Sequence, residues 1–167
     1  MRWTGLALGR HPADSGAPGR YLDGTWREQI RRNAEALLDD SPGRGVGALG
    51  VLADRLEEWL AAAPPHEPAL RRELPVSSFV DIGAARHGHA RWLRRAARFG
   101  PAALAAHADT VTALARQWDT VASLWLGGTG SPATGTRMLQ QVPRLLRILA
   151  REERATVERV AVTAGAG

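Results

Sequence analysis

The stretch PAALAAHADTVTALARQWDTVASLWL, residues 101–126, decides the fold class of this chain. Its apolar side chains recur at alternating intervals of four and three residues, which places them on one side of an α-helix. They are Leu104, Ala108, Val111, Ala115, Trp118, Ala122 and Trp125. Such a stripe is stable only when it packs against other elements. The segment therefore predicts a long helix at the centre of a bundle.

The flanking segments show the same helical period. Further helices are predicted from near Thr25 to about residue 38, over 44–62, from Ser77 or Ser78 to Phe99, and over 136–162 with an interruption at Pro143. Three prolines in APPHEP (63–68) predict a break, and GGTGSPATG (127–135) predicts a flexible loop. No segment alternates apolar and polar residues as strands do. We predict an all-α, single-domain bundle of about five main helices.

The ends of the chain have a different composition from the predicted bundle. Residues 1–22 hold several glycines and prolines without periodicity, which predicts an extended or loosely docked N-terminal arm. The helical bundle domain is predicted to cover 23–162, followed by a flexible tail over 163–167. Thr25 with Glu28 three residues later matches a capping box for the first helix.

Composition excludes several classes of chemistry. The sequence has 167 residues and no cysteine, so thiolate nucleophiles, disulfides and cysteine-based zinc sites are excluded. All 22 basic residues are arginine, and the net charge of +5 weakly favours an acidic partner. No apolar run is long enough to span a membrane, and the N-terminus lacks the apolar core of a secretion signal. We predict a cytoplasmic protein with no membrane partner.

The motifs that could carry catalysis or cofactor binding do not have the context they need. The glycines of GVGALG (45–50) match the dinucleotide fingerprint, but a predicted helix and turn precede them where that fingerprint needs a strand. His87 and His89 are two residues apart and would point to different sides of a helix. Glu152 and Glu153 are expected to form solvated ion pairs with nearby arginines. We therefore predict no metal site, no cofactor and no catalytic residue.

Arginines concentrate in the third predicted helix. No acidic residue occurs between Asp81 and Asp109, and a helical wheel places the arginines opposite an apolar stripe running from Ile82 to Phe99. The arginines are Arg86, Arg91, Arg94, Arg95 and Arg98. This pattern predicts either a solvated helix face or a docking surface for an anionic partner, which could be nucleic acid, a phosphorylated ligand or an acidic protein.

A substrate pocket is a second possibility, suggested by the aromatic residues. The chain has six tryptophans beside two phenylalanines and one tyrosine. Most of them fall on apolar faces, so burial in the core is the first interpretation and a pocket lined by indoles is the alternative. The candidate pocket residues are His89, Trp92 and Trp118, and His89 could equally be a hydrogen-bonded core histidine.

Five short motifs, in this order, resemble the C-terminal helical region of the butirosin-biosynthesis-protein-H-like family. They are GVGALGVLADRLEEW (45–59), IGAAR (82–86), WLRRAA (92–97), QWD (117–119) and AREE (150–153). The resemblance covers about residues 23–160. Gly83, Arg86 and Trp92 match the motif around the family's third helix, whereas the family's glycine-rich run is reduced to Gly83 and its aromatic residue before Arg86 is Ala85.

The resemblance implies a role in bacterial natural-product biosynthesis. Complete members of the family carry a cysteine-bearing N-terminal domain and act as acyltransferases or cyclases on carrier-protein thioesters. This sequence contains no counterpart of that cysteine domain, so the nucleophile is not carried over. The implied role is a helical module that docks an acyl substrate, an acidic carrier protein or a separate catalytic subunit. A nucleic-acid-binding regulator and a standalone enzyme with a tryptophan-lined pocket remain alternatives.

Overall fold

The computed structural model of the protein describes residues 22–62, 74, 76–130 and 132–165. Helix accounts for 85% of these residues, and no strand occurs among them. The helices are α1 (Leu22–Leu37), α2 (Gly47–Ala62), α3 (Val76–Ala96), α4 (Ala103–Gly130), α5 (Pro132–Leu139) and α6 (Gln141–Thr163). The prediction of an all-α bundle with five main helices is confirmed. The predicted arm and the APPHEP break lie outside the described residues, apart from Leu22, which begins α1.

Helix α4 is the central element, as its stripe predicts. Around its C-terminal half, Trp118 and Trp125 pack with α2, α3, α5 and α6 in the larger apolar cluster, where Phe79 stacks on Trp118 with 6.3 Å between ring centroids. Around its N-terminal half, Leu104 and Ala108 pack with α1, α3 and the end of α6 in a smaller cluster rich in alanine. A single helix therefore joins both parts of the core.

The turn between α1 and α2 explains the glycine pattern of residues 45–50. Gly45 has a φ of +55°, and a Cβ atom at this position would lie 2.6 Å from the carbonyl oxygen of Leu37. Only glycine fits both conditions without strain. The Val46 amide then donates to the same Leu37 carbonyl at 2.8 Å. The first glycine of the motif therefore serves a tight turn between two helices, which agrees with rejecting a dinucleotide site.

The predicted capping box of α1 is wrong. The helix begins at Leu22, so Thr25 lies inside it and does not occupy the N-cap position. Glu28 instead accepts hydrogen bonds from Arg31 and Arg32 one turn further along. These two guanidiniums, Arg31 first, lower the pKa of Glu28 to about 2. Glu28 therefore forms ion pairs along the exposed side of the helix.

The predicted flexible loop at 127–135 is also wrong. Helix α4 continues to Gly130 and α5 begins at Pro132, so only residue 131 separates the two helices. A Cβ atom on Gly128 would lie 2.5 Å from Cγ of Leu139, which shows how closely α5 folds back on α4. The glycines permit this close approach of two helices, and the burial of Leu139 overrides their low helix propensity. The predicted interruption near Pro143 is observed at Gln140, between α5 and α6.

The buried face of α3 differs from the predicted stripe by about one position. Its buried residues are Phe79, Gly83, Arg86, Ala90, Leu93 and Ala96, whereas Phe99 is 46% exposed. Gly83 sits at a close approach of α3 and α4, because a Cβ atom there would lie 2.8 Å from Oδ1 of Asp119 and 3.4 Å from Cβ of Trp118. This rotation turns Arg86 into the core.

Candidate functional site

Four arginines form one exposed surface at the C-terminal end of α3. Arg91, Arg94, Arg95 and Arg98 are all exposed, and their spacing of three and four residues places them on one side of the helix and of the turn that follows it. We call this surface the arginine face. Arg94 and Arg95 lie in the last turn of α3, where the helix dipole favours cations.

Only one member of the arginine face forms an ion pair within the part of the chain that the structure describes. Nη2 of Arg94 donates to Oδ1 of Asp109 on α4 at 2.7 Å and to Oγ1 of Thr112 at 3.2 Å. Arg91, Arg95 and Arg98 have no carboxylate partner among those residues. Elsewhere, some arginines recruit carboxylates, as Arg31 does with Glu28 and Glu35, whereas the exposed Arg137 and Arg144 form no ion pair with the described residues. An ion pair with Asp109 therefore gives Arg94 a structural role, whereas no ion pair among the described residues gives one to Arg91, Arg95 or Arg98.

Helix α4 adds a residue to this surface that the sequence pattern did not reveal. Asp119 lies 3.1 Å from the ring of His87 on α3, and Asp109 reaches Arg94, so the segment of α4 between them borders α3. Arg116 lies in that segment, is exposed and shares a side of α4 with Thr112 and Asp119. Arginines from two helices thus outnumber the two aspartates at this border. The signal was missed because it depends on pairing two separate helices.

Arg86 does not belong to the arginine face, so its predicted docking role is wrong. The residue is only 4% exposed. Its Nε donates to Oε1 of Glu153 at 2.9 Å and its Nη2 to Oε2 at 2.5 Å, a bidentate pair between α3 and α6. Glu153, 2% exposed, is also misassigned by the sequence, which predicted a solvated ion pair. In this setting Arg86 holds two helices together rather than contacting a partner.

The indole of Trp118 completes this buried polar cluster. Its Nε1 donates to Oε1 of Glu153 at 2.7 Å, so the carboxylate accepts three hydrogen bonds from two side chains. Bidentate geometry and full pairing are what a buried charge needs to be tolerated. We call Arg86, Glu153 and Trp118 the buried triad. Tryptophan here supplies apolar packing and one polar donor together.

A small cavity adjoins the buried triad beneath α1. Arg86, His89 and Glu153 line one side, and residues of α1 such as Ile30 and Asn33 close the other. Its volume is about 30 Å³, which is room for about one water molecule. A tryptophan-lined substrate pocket needs an order of magnitude more space. The described residues therefore enclose no substrate-sized space at this point.

The three predicted pocket residues have different surroundings. His89 lines the small cavity and stacks on Trp92, with 5.7 Å between ring centroids. Trp92 is half-buried against the smaller apolar cluster. Trp118 is fully buried and is not a wall of the cavity, so its predicted contact with substrate is wrong. The structure thus brings His89 and Trp92 together. The cavity that His89 lines is too small for a substrate.

The other two histidines that the structure describes make pairwise contacts. His87 lies beside Asp119, and a ring nitrogen of His107 lies 2.8 Å from Oγ1 of Thr163. Burial, and then the charge of Arg159, lower the pKa of His107. Within the described ranges, no three histidine or carboxylate side chains converge as metal ligands would. The same residues contain no helix with the length and apolar character to cross a membrane.

Comparisons with known proteins add no relative to this picture. No family model matches the chain, and no curated protein or solved structure matches it significantly. The arginine face and the buried triad are therefore interpreted from their own geometry.

Proposed function

We propose that this protein is a docking module whose arginine face binds an acidic partner protein. The observation that supports the proposal is the clustering of Arg91, Arg95 and Arg98 beside Arg94 without matching carboxylates in the described chain. Exposed arginines cost little when unpaired in water, but a cluster of them repels itself and attracts acidic surfaces. Guanidinium groups are also well suited to bidentate contacts with carboxylates.

The proposed partner is an acidic carrier protein of bacterial natural-product biosynthesis, or a catalytic subunit that works with one. This identity rests on the family resemblance of residues 23–160, not on the geometry. The module would hold the carrier while a partner performs acyl transfer or cyclisation. A catalytic role for this chain has less support, because the arginine face lacks a nucleophile and the cavity beside His89 admits only about one water molecule.

The test is a binding measurement with charge-reversal variants. Arg94→Glu combined with Arg95→Glu should weaken binding to a purified, phosphopantetheinylated carrier protein by at least about tenfold, because two attractive contacts become repulsive. Arg137→Glu combined with Arg144→Glu is the matched control, since both residues are exposed on other helices. The control should change affinity much less, and circular dichroism should show the same helix content in all variants.

Two results would overturn the proposal. Equal weakening by the control pair would mean that only the net charge matters. Tighter binding to a random DNA duplex than to the carrier protein, with affinity falling steeply as salt rises, would favour a nucleic-acid-binding function. Asp109 and Asp119 border the arginine face and disfavour a polyphosphate backbone. We therefore expect weak DNA binding that is lost at physiological salt.

A further inference from the structure

A groove on a different side of the molecule has the features of a small-ligand site. It runs between α4 and α6 and has a volume of about 280 Å³. Ala113 and Leu114 of α4 and Ala155 of α6 form its apolar floor, and the polar lining includes Thr110, Thr156, Arg151, Glu152 and Arg159. A volume close to the lower end for ligand pockets suits a metabolite of modest size.

Two arginines on the α6 side of the groove are available for an anion. Arg151 and Arg159 are eight residues apart, about 12 Å along the axis, and lie on either side of Ala155. Their long side chains can converge above this small residue. Nη2 of Arg159 donates to Oγ1 of Thr156 at 3.2 Å, and neither arginine forms an ion pair with the described residues. Arg147 and Arg154 on the same helix, by contrast, bind carboxylates.

The acidic residue of the groove is hydrogen-bonded to α4. Oε2 of Glu152 accepts a hydrogen bond from Nε2 of Gln117 at 2.8 Å, which bridges α4 and α6 one turn beyond Leu114. The other amide atom, Oε1 of Gln117, is buried and has no hydrogen-bond partner in the described part of the chain. This oxygen is buried and Gln117 does not line the groove, so a ligand contacts Glu152 instead. A ligand hydroxyl can therefore donate to the carboxylate of Glu152.

We propose that the groove between α4 and α6 binds a small phosphate monoester that carries a hydroxyl group. Arg151 and Arg159 bind the phosphate, because guanidinium groups match its oxygens in geometry and charge. Glu152, next to Arg151 in the groove, accepts a hydrogen bond from the hydroxyl. The site is distinct from the arginine face of α3 and does not depend on a carrier protein.

The proximity of His107 provides a local readout for this site. Arg159 lowers the pKa of His107, after burial, which places the imidazole within the field of the groove. A phosphate bound to Arg159 would partly cancel that field, so the pKa of His107 should rise on binding. Nuclear magnetic resonance of the His107 ring can follow this change in the intact protein.

The experiment compares inorganic phosphate with glycerol 3-phosphate. We expect both to bind saturably and shift the His107 signal, with glycerol 3-phosphate binding more tightly because it supplies hydroxyl groups. Arg151→Gln combined with Arg159→Gln should weaken both by at least about tenfold. Arg137→Gln combined with Arg144→Gln is the control, since it removes the same charge from exposed positions outside the groove and the arginine face, and it should leave both affinities unchanged.

The outcomes separate specific from nonspecific binding. Equal loss in the control variant, or a response that never saturates, would overturn the site. Equal affinity for phosphate and glycerol 3-phosphate would overturn the role of Glu152, and Glu152→Gln would then change both affinities by the same factor. Retained binding in the Arg151 and Arg159 variant would place the phosphate elsewhere and overturn the proposal as a whole.

Discussion

The two sides of α3 use arginine in opposite ways. On the inner side, Arg86 is buried and makes a bidentate pair with Glu153 of α6. On the outer side, Arg94 makes an exposed ion pair with Asp109, and Arg91 lies beside it without a carboxylate among the described residues. A guanidinium is thus a structural bridge in one place and a surface charge eight residues later. The comparison teaches that solvent exposure, rather than residue type or helix position, decides what each arginine does.

The energetic consequence of this difference is large. Removing one member of a buried ion pair leaves the other charge in a medium of low dielectric, at a cost of about 3–5 kcal/mol. An exposed pair is worth about 0–1 kcal/mol, because water solvates both charges when the pair breaks. Substitutions on the two sides of α3 should therefore separate stability from binding.

The largest effect is expected from Arg86→Ala. Glu153 would keep only the hydrogen bond from Trp118, and we expect a loss of about 3–5 kcal/mol in the free energy of unfolding. Urea denaturation monitored by circular dichroism measures this loss. Since a typical domain is stable by about 5–15 kcal/mol, Arg86→Lys, which keeps a cation beside Glu153, provides a milder second variant if Arg86→Ala does not fold.

A neutral double variant tests whether the charge itself causes the loss. Arg86→Met combined with Glu153→Gln removes both charges and keeps an acceptor for the indole N–H of Trp118. It should recover most of the stability that Arg86→Ala loses, because a well-packed neutral pair needs no compensation for buried charge. A loss below about 1 kcal/mol in Arg86→Ala would instead show that the pair is solvated in solution.

The sequence predicted the outer side of α3 better than the inner one, for a physical reason. The sequence of α3 allows two buried faces that differ by about one residue position, the predicted one and the observed one. Arginines are usually exposed to solvent, so the face that left all five exposed was predicted. The burial of Arg86 depends on Glu153, 67 residues away, and no local pattern reports that distance. Helices α1 to α4 were predictable because each carries a periodic apolar stripe. The continuation of α4 through Gly127 and Gly128 was not, because it depends on packing against Leu139.

Two glycines of α3 provide the next test. A Cβ atom on Gly88 meets nothing within 4 Å, whereas one on Gly83 would press on Asp119 at 2.8 Å. Gly88→Ala should therefore raise the free energy of unfolding by about 0.5–1 kcal/mol, the gain from replacing glycine with alanine in a helix. Gly83→Ala should give no such gain, since Asp119 must move and its contact with His87 is disturbed.

The same denaturation experiment distinguishes the outcomes. If Gly83→Ala stabilises the protein as much as Gly88→Ala, the added methyl group meets no obstacle. Helices α3 and α4 are then further apart in solution than the structure shows at Gly83. If Gly88→Ala destabilises it, the outer side of α3 is covered by another part of the chain, and the arginine face would be less accessible than proposed.

The smallest stability effect is expected on the outer side, at Arg94 and Asp109, whose side chains are 47% and 75% exposed. A double-mutant cycle with Arg94→Gln and Asp109→Asn should give a coupling energy below about 1 kcal/mol that decreases as salt is added. Asp109→Asn should nevertheless strengthen binding to an acidic carrier protein, because it removes the carboxylate that partly neutralises the arginine face.

Asp54→Asn is the matched control, since Asp54 forms a comparably exposed contact with Arg147 on α6. It should change stability by a similar small amount and leave binding unchanged. A coupling energy above about 2 kcal/mol that persists at high salt would mean that the Arg94 pair is buried like that of Arg86. The two sides of α3 would then not differ as the structure indicates.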